Sequence, residues 1–125
     1  MIMAMPSPIT SGTGIKVAWV LLTMGDRPAA LREAVSSIES VGDVAPNVTV
    51  VSNGGPECLS GLDGVRVIHL PENVGIPAAR HIAMERLDAD IVFFLDDDAR
   101  VEPGVERAVI EAFAADEKLG AVSVR

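Results

Sequence analysis

Three consecutive carboxylates, Asp96, Asp97 and Asp98, follow directly on five apolar residues, Ile91 to Leu95. Adjacent like charges repel one another wherever water is scarce, and they persist there only when protons or a cation compensate. Carboxylate oxygens are hard ligands that suit Mg²⁺ or Mn²⁺, so the chemistry open to this run is to hold a divalent ion. The competing reading is a solvated acidic turn ahead of a helix, where the helix dipole favours negative charge. The residues by themselves leave both open.

Other reactive side chains are few. Arg80 carries a guanidinium fork that matches phosphate oxygens, and the bland alternative for it is a surface ion pair with Glu85 or Asp88. His69 and His81 have no acidic or serine partner at a telling spacing and read as ordinary, partly buried histidines. Cys58 has no activating neighbour and reads as inert. Gly25 is not followed by G-x-x-G, and no G-x-x-x-x-G-K-[ST] occurs, so neither the dinucleotide fingerprint nor the P-loop is present. Asp96-x-Asp98 has the outline of the D-x-D-x-[TV] nucleophile loop of haloacid-dehalogenase phosphatases, but position 100 is arginine and that loop follows the first strand. A response-regulator receiver needs an acidic pair after its first strand, where this chain offers only Asp26.

Whatever these residues do, strands and helices must place them. The apolar run 91–95 is long and β-branched enough for a strand buried on both faces of a parallel sheet, with the acids at its C-terminal end. Residues 16–22 predict an earlier strand of the same kind, followed by the loop Thr23-Met24-Gly25-Asp26. Pro28 suits a first helical turn that Asp26 can cap, and Leu31, Ala34, Val35 and Ile38 share one face at helical spacing. Gly42 and Pro46 then break the chain. A strand over 48–51 runs into the turn signal Ser52-Asn53-Gly54-Gly55-Pro56, and a third, shorter strand over 65–69 leads to a helix over 77–87 with Ile82, Ala83 and Leu87 inward. Pro103 opens a last helix whose face is Val105, Val109, Ala112 and Phe113, and 121–124 reads as a final strand. Strands alternating with helices through short loops give an α/β fold, a mostly parallel sheet with flanking helices and right-handed crossovers. The loops after the first, second and fourth strands then share one rim, where an open α/β sheet binds its ligands.

The 125 residues suffice for one core. Ten basic against eighteen acidic residues give a net charge of −8. Such a balance speaks against nucleic-acid and anionic-membrane partners and fits a protein that recruits a cation before a phosphate. A single cysteine allows no internal disulfide, which makes a reducing, cytoplasmic setting the expectation. No apolar run reaches the length of a membrane span. Residues 1–14 have neither a basic start nor a long apolar stretch and read as a disordered leader, with the α/β domain occupying 15–125.

Four segments, residues 23–31 (TMGDRPAAL), 50–55 (VVSNGG), 73–81 (NVGIPAARH) and 94–98 (FLDDD), together resemble one known family, the family-2 inverting glycosyltransferases of GT-A fold. Thr23-Met24-Gly25-Asp26-Arg27-Pro28-Ala29-Ala30-Leu31 is similar to their P-T-Y-N-R-P-x-x-L segment, and Val50-Val51-Ser52-Asn53-Gly54-Gly55 to their V-V-D-N-G-S turn. Asn73-Val74-Gly75-Ile76-Pro77-Ala78-Ala79-Arg80-His81 is similar to N-x-G-x-x-x-A-R-N, and Phe94-Leu95-Asp96-Asp97-Asp98 to F-L-D-x-D. The four stand in the family's order across residues 16–125. Ser52 replaces an aspartate that helps hold the nucleotide base, and His81 replaces an asparagine.

The resemblance implies a Rossmann-like nucleotide-binding half of a GT-A fold. In it Thr23, Met24, Arg27, Ser52, Asn53, Gly75, Arg80 and Asp97 would contact a nucleotide-diphosphate sugar, with Arg80 near the diphosphate, and Asp96 and Asp98 would hold Mn²⁺ or Mg²⁺. In the family an acceptor-binding half and a general-base carboxylate follow the fifth strand, and this sequence ends at Arg125. Efficient transfer is not expected without such a base, so a nucleotide-diphosphate binding module without chemistry of its own is the alternative. The acceptor is unspecified. A sheet whose outer strands are missing exposes an edge and apolar surface, which makes a homo-oligomer the expectation, with 121–124 reaching a neighbouring molecule.

Overall fold

Long apolar runs become the middle of a sheet. A computed structural model describes residues 2–6, 14–41 and 47–124. Its elements are β1 (Ile2–Pro6), β2 (Val17–Thr23), α1 (Pro28–Val41), β3 (Val48–Asn53), β4 (Arg66–Leu70), α2 (Ile76–Glu85), β5 (Ile91–Asp96), α3 (Val105–Ala115) and β6 (Val122–Val124). The sheet order is β4-β3-β2-β5-β1-β6. β2 runs parallel to both β3 and β5, and β3 parallel to β4. Four strands therefore end on one rim. The chain steps from β2 out to β3 and β4, then crosses back to place β5 on the other side of β2. That reversal is a topological switch point, and it lies between the C-terminal ends of β2 and β5.

Alternation along the two central strands feeds two apolar layers. Trp19 and Leu21 of β2, with Ile91, Phe93 and Leu95 of β5, pack against α1 through Leu31, Ala34, Val35 and Ile38 and against α3 through Val109. Ala18, Val20, Val92 and Phe94 point the other way, onto Ala79 and Ala83 of α2. The α1 face is the one that its 3.6-residue period predicts. On α2 the inward residues are Ala79 and Ala83, with Ile82 partly buried and Leu87 buried beyond the helix end. The face of α3 holds a residue that apolar periodicity does not select: Glu106 is buried and accepts a hydrogen bond from Trp19 Nε1 at 3.3 Å.

The expectation of a disordered leader over 1–14 fails for its first part. Ile2–Pro6 is a strand, antiparallel to both β5 and β6. Ile2 and Ala4 enter the α1/α3 layer, while Met3 and Met5 pack on the α2 layer. A strand apolar on both faces, with partners for its backbone on either side, has good reason to stay in the sheet. Of the segment expected to reach a neighbouring molecule, 122–124 pairs with β1 of its own chain as β6 and is the outermost strand on that side of the sheet. Residues 7–13 and the chain break expected at Gly42 and Pro46 lie outside the described residues. Among the described residues, no helix is long and apolar enough to cross a membrane.

Candidate functional site

At the switch point the strand ends open into a cleft of about 680 Å³. Its walls include Thr23, Met24, Asp26 and Arg27 from the end of β2, Asn53 from β3, Asn73, Gly75, Ile76 and Arg80 from the entry to α2, and Asp96, Asp97 and Asp98 after β5. A second hollow of similar size lies along α1 and is lined by Arg32, Glu33, Ser36 and Arg100 among others. It holds none of the strand-end residues.

The acidic run is a tight turn. The Ala99 N–H donates to the Asp96 carbonyl at 3.0 Å, which makes Asp97 and Asp98 the central residues, and the three carboxylates part company. Asp97 is buried, and both of its oxygens are engaged by the protein. Thr23 Oγ1 donates to Oδ2 at 2.9 Å, and Arg27 Nη2 donates to Oδ1 at 2.8 Å. The Thr23 hydroxyl also accepts the Gly25 N–H at 3.0 Å. Asp96 and Asp98 stay exposed, and the Asp98 Oδ2 accepts Arg27 Nη1 at 2.7 Å. One guanidinium thus bridges two carboxylates of unlike burial, with side-chain exposure of 8% at Asp97 and 51% at Asp98. The exposed arm is worth at most about 1 kcal/mol. The arm on Asp97 is harder to give up, because losing it would strand a desolvated charge.

Arg80 sits over the Phe94 ring, with its guanidinium carbon 4.9 Å from the ring centroid. Its Nε is buried and has no hydrogen-bond partner. The alternative partners are taken elsewhere: Glu85 pairs with His81 at 3.2 Å, one helical turn away, and Asp88 pairs with Lys16 Nζ at 2.7 Å. The Asp88 carboxylate raises the pKa of that ammonium above its ordinary value. His81 is thus an exposed residue with an acidic neighbour at i+4, contrary to the expectation of a partly buried histidine without one. Cys58 is exposed, with a free thiol.

The opposite wall is built from three loops packed on one another. Asn53 Nδ2 donates to Asn73 Oδ1 at 3.1 Å, Val74 N donates to Asn53 Oδ1 at 3.0 Å, and Gly75 N donates to Asn73 Oδ1 at 2.9 Å. Gly54 has φ +75°, and a Cβ there would stand 2.5 Å from the Asn73 backbone nitrogen. Gly25 has φ +79°, and a Cβ on it would collide with the Pro56 ring. Glycine is therefore needed at both positions for the loops to close. Gly75 caps α2 with no side-chain hydrogen bond, which leaves the first turn of the helix facing the cleft without a side-chain cap.

Of the residues that the sequence points to, the structure brings together Thr23, Met24, Arg27, Asn53, Gly75, Arg80, Asp96, Asp97 and Asp98. It does not bring in Ser52, which is fully buried and donates its hydroxyl to the Pro56 carbonyl at 2.6 Å. Its short side chain serves the loop rather than the cleft. Asn73 was legible only as part of a motif; its role in tying two loops together depends on β3 and β4 being neighbours.

The family model of glycosyl transferase family 2 matches residues 20–125, from the middle of β2 to the end of the chain. The chain belongs to glycosyl transferase family 2. No curated protein sequence matches it. In this family-2 chain the whole cleft falls within the matched segment, and β1 falls outside it.

The donor set at the turn suits a hard divalent ion. Asp96 and Asp98 are exposed carboxylates that line the cleft, and Mg²⁺ or Mn²⁺ commonly takes one or two such groups and completes its shell with water and substrate phosphates. Among the described residues, no group of three or more His, Cys, Asp or Glu side chains is placed to hold a metal ion.

Proposed function

We propose that the cleft is the donor site of a glycosyltransferase, binding a nucleotide-diphosphate sugar together with Mn²⁺ or Mg²⁺, in a reaction that inverts the anomeric centre. One juxtaposition supports the reading: in a family-2 chain, Arg80, whose guanidinium matches phosphate oxygens, lines the same cleft as the exposed carboxylates Asp96 and Asp98. A diphosphate suits both features. The Arg80 guanidinium offers charge-assisted hydrogen bonds to phosphate oxygens, and the first turn of α2, without a side-chain cap at Gly75, favours negative charge nearby. A divalent ion, when bound, neutralises charge on the departing diphosphate. Asp96 and Asp98 would hold that ion. Met24 and Asn53, on the far wall, would face the nucleoside end. Ser52 contributes through the loop and not by touching the base, so base preference rests on other groups.

Calorimetry with UDP, GDP, CDP and dTDP, with and without Mn²⁺, tests the proposal. The expected result is binding of at least one nucleotide that depends on metal and is lost in Asp98→Ala. Equal binding by the wild type and Asp98→Ala in Mn²⁺ would remove the metal role.

A further inference from the structure

We propose that Arg27 is a built-in counter-cation for the acidic turn: a divalent ion displaces one arm of its fork from Asp98, and the released arm then serves the diphosphate that accompanies the ion. The inference rests on the donor-site reading above and deepens it.

Arg27 is fixed at one end. Its carbonyl accepts the Leu31 N–H at 3.0 Å, at the head of α1. Its Nη2 is held by Asp97, a buried carboxylate that Thr23 also grips. Only Nη1 reaches an exposed partner, Asp98, and that partner is one of the two candidate metal ligands. A metal ion and a guanidinium cannot share one carboxylate without repulsion between the two cations. The arm that yields must be the one on Asp98, since releasing Asp97 would leave a buried charge unpaired. The exchange therefore moves one Nη while the other stays anchored. Arg27 lines the same cleft as Arg80, so the freed donor remains where a diphosphate would lie.

Two consequences separate this device from a static salt bridge. A divalent ion alone meets an occupied Asp98 and binds poorly. With a diphosphate present, the displaced arm finds a new anion, so ion and nucleotide favour each other's binding, reciprocally.

The test uses the full chain and Mn²⁺ alone, followed by paramagnetic resonance of the free aqua ion, and then UDP in the presence of Mn²⁺ by calorimetry. Arg27→Gln is expected to bind Mn²⁺ alone roughly tenfold more tightly than the wild type, and UDP in Mn²⁺ roughly tenfold more weakly, within the ordinary range of such couplings. Arg27→Lys keeps a charge but cannot span two carboxylates. It is expected to bind Mn²⁺ alone more tightly than the wild type as well, and it carries the test should Arg27→Gln fail to fold by circular dichroism. Mn²⁺ binding that needs Asp98 but is unchanged in both Arg27 variants would overturn the counter-cation role alone. No Asp98-dependent binding of UDP in Mn²⁺ would overturn the donor-site reading and this proposal together.

Discussion

Arg80 combines in one side chain a buried Nε without a hydrogen-bond partner and a guanidinium lying over the Phe94 ring. A buried donor without an acceptor costs about 1–3 kcal/mol, and the ring of Phe94 beneath the guanidinium recovers only part of that. Arg80→Ala is expected to weaken a nucleoside diphosphate by about tenfold or more, since hydrogen bonds to charged groups are worth about 1.5–3 kcal/mol. The bare nucleoside should bind almost unchanged. Calorimetry with matched nucleoside and nucleotide decides, and an equal loss for both would mark Arg80 as structural. Position in the sequence pointed to Arg80 but not to its freedom, because the fates of Glu85 and Asp88 depend on His81 and on the distant Lys16. The acidic triplet was legible as a turn at a strand end in the same limited sense. Which of the three acids turns inward follows from the bond between Ala99 and Asp96 and from the reach of Thr23 and Arg27, some seventy residues earlier.

Among the elements, those with a strong period could be read and those defined by a distant partner could not. The inward residues of α1 follow from spacing alone, and the four parallel strands from continuous apolar runs, with their ends displaced by one or two residues. β1 left no such trace. Five residues containing two methionines and a proline carry little strand preference, and their partners β5 and β6 lie some ninety or more residues away. The structure makes a sharp test of β1 possible. Ala4 is fully buried, opposite Phe93 on one side and Val122 on the other. Ala4→Asp would place an unpaired carboxylate there, and a loss of about 3 kcal/mol or more in urea unfolding is expected. A variant as stable as the wild type would show that β1 leaves the sheet in solution.

For the whole molecule, β1 changes where a second copy could add. The edge of β5 is covered, and the outer strands are now β4 and β6. β6 is three residues long and half exposed, a short edge on which two-fold pairing can still build. Against it stands the net charge of −8 on each copy, a repulsion that salt screens. A homodimer whose population rises with ionic strength is the expected state, measured by light scattering at micromolar concentration. A monomer at every salt concentration would show that the β6 edge does not pair with a second copy. The fold class was legible because alternating strands and helices allow few arrangements; the edge was not, since an antiparallel insertion breaks no rule that a local pattern records.

Trp19, stacked on Phe93 at 4.3 Å between ring centroids and bonded to Glu106, is the only tryptophan in a chain without tyrosine. Its near-ultraviolet emission therefore comes from one place. That place is the α1/α3 layer, across the sheet from Phe94 and Arg80. Emission should stay constant as the cleft fills and change when the core melts, so a nucleotide that binds will be seen as a later melting of this one fluorophore rather than as quenching.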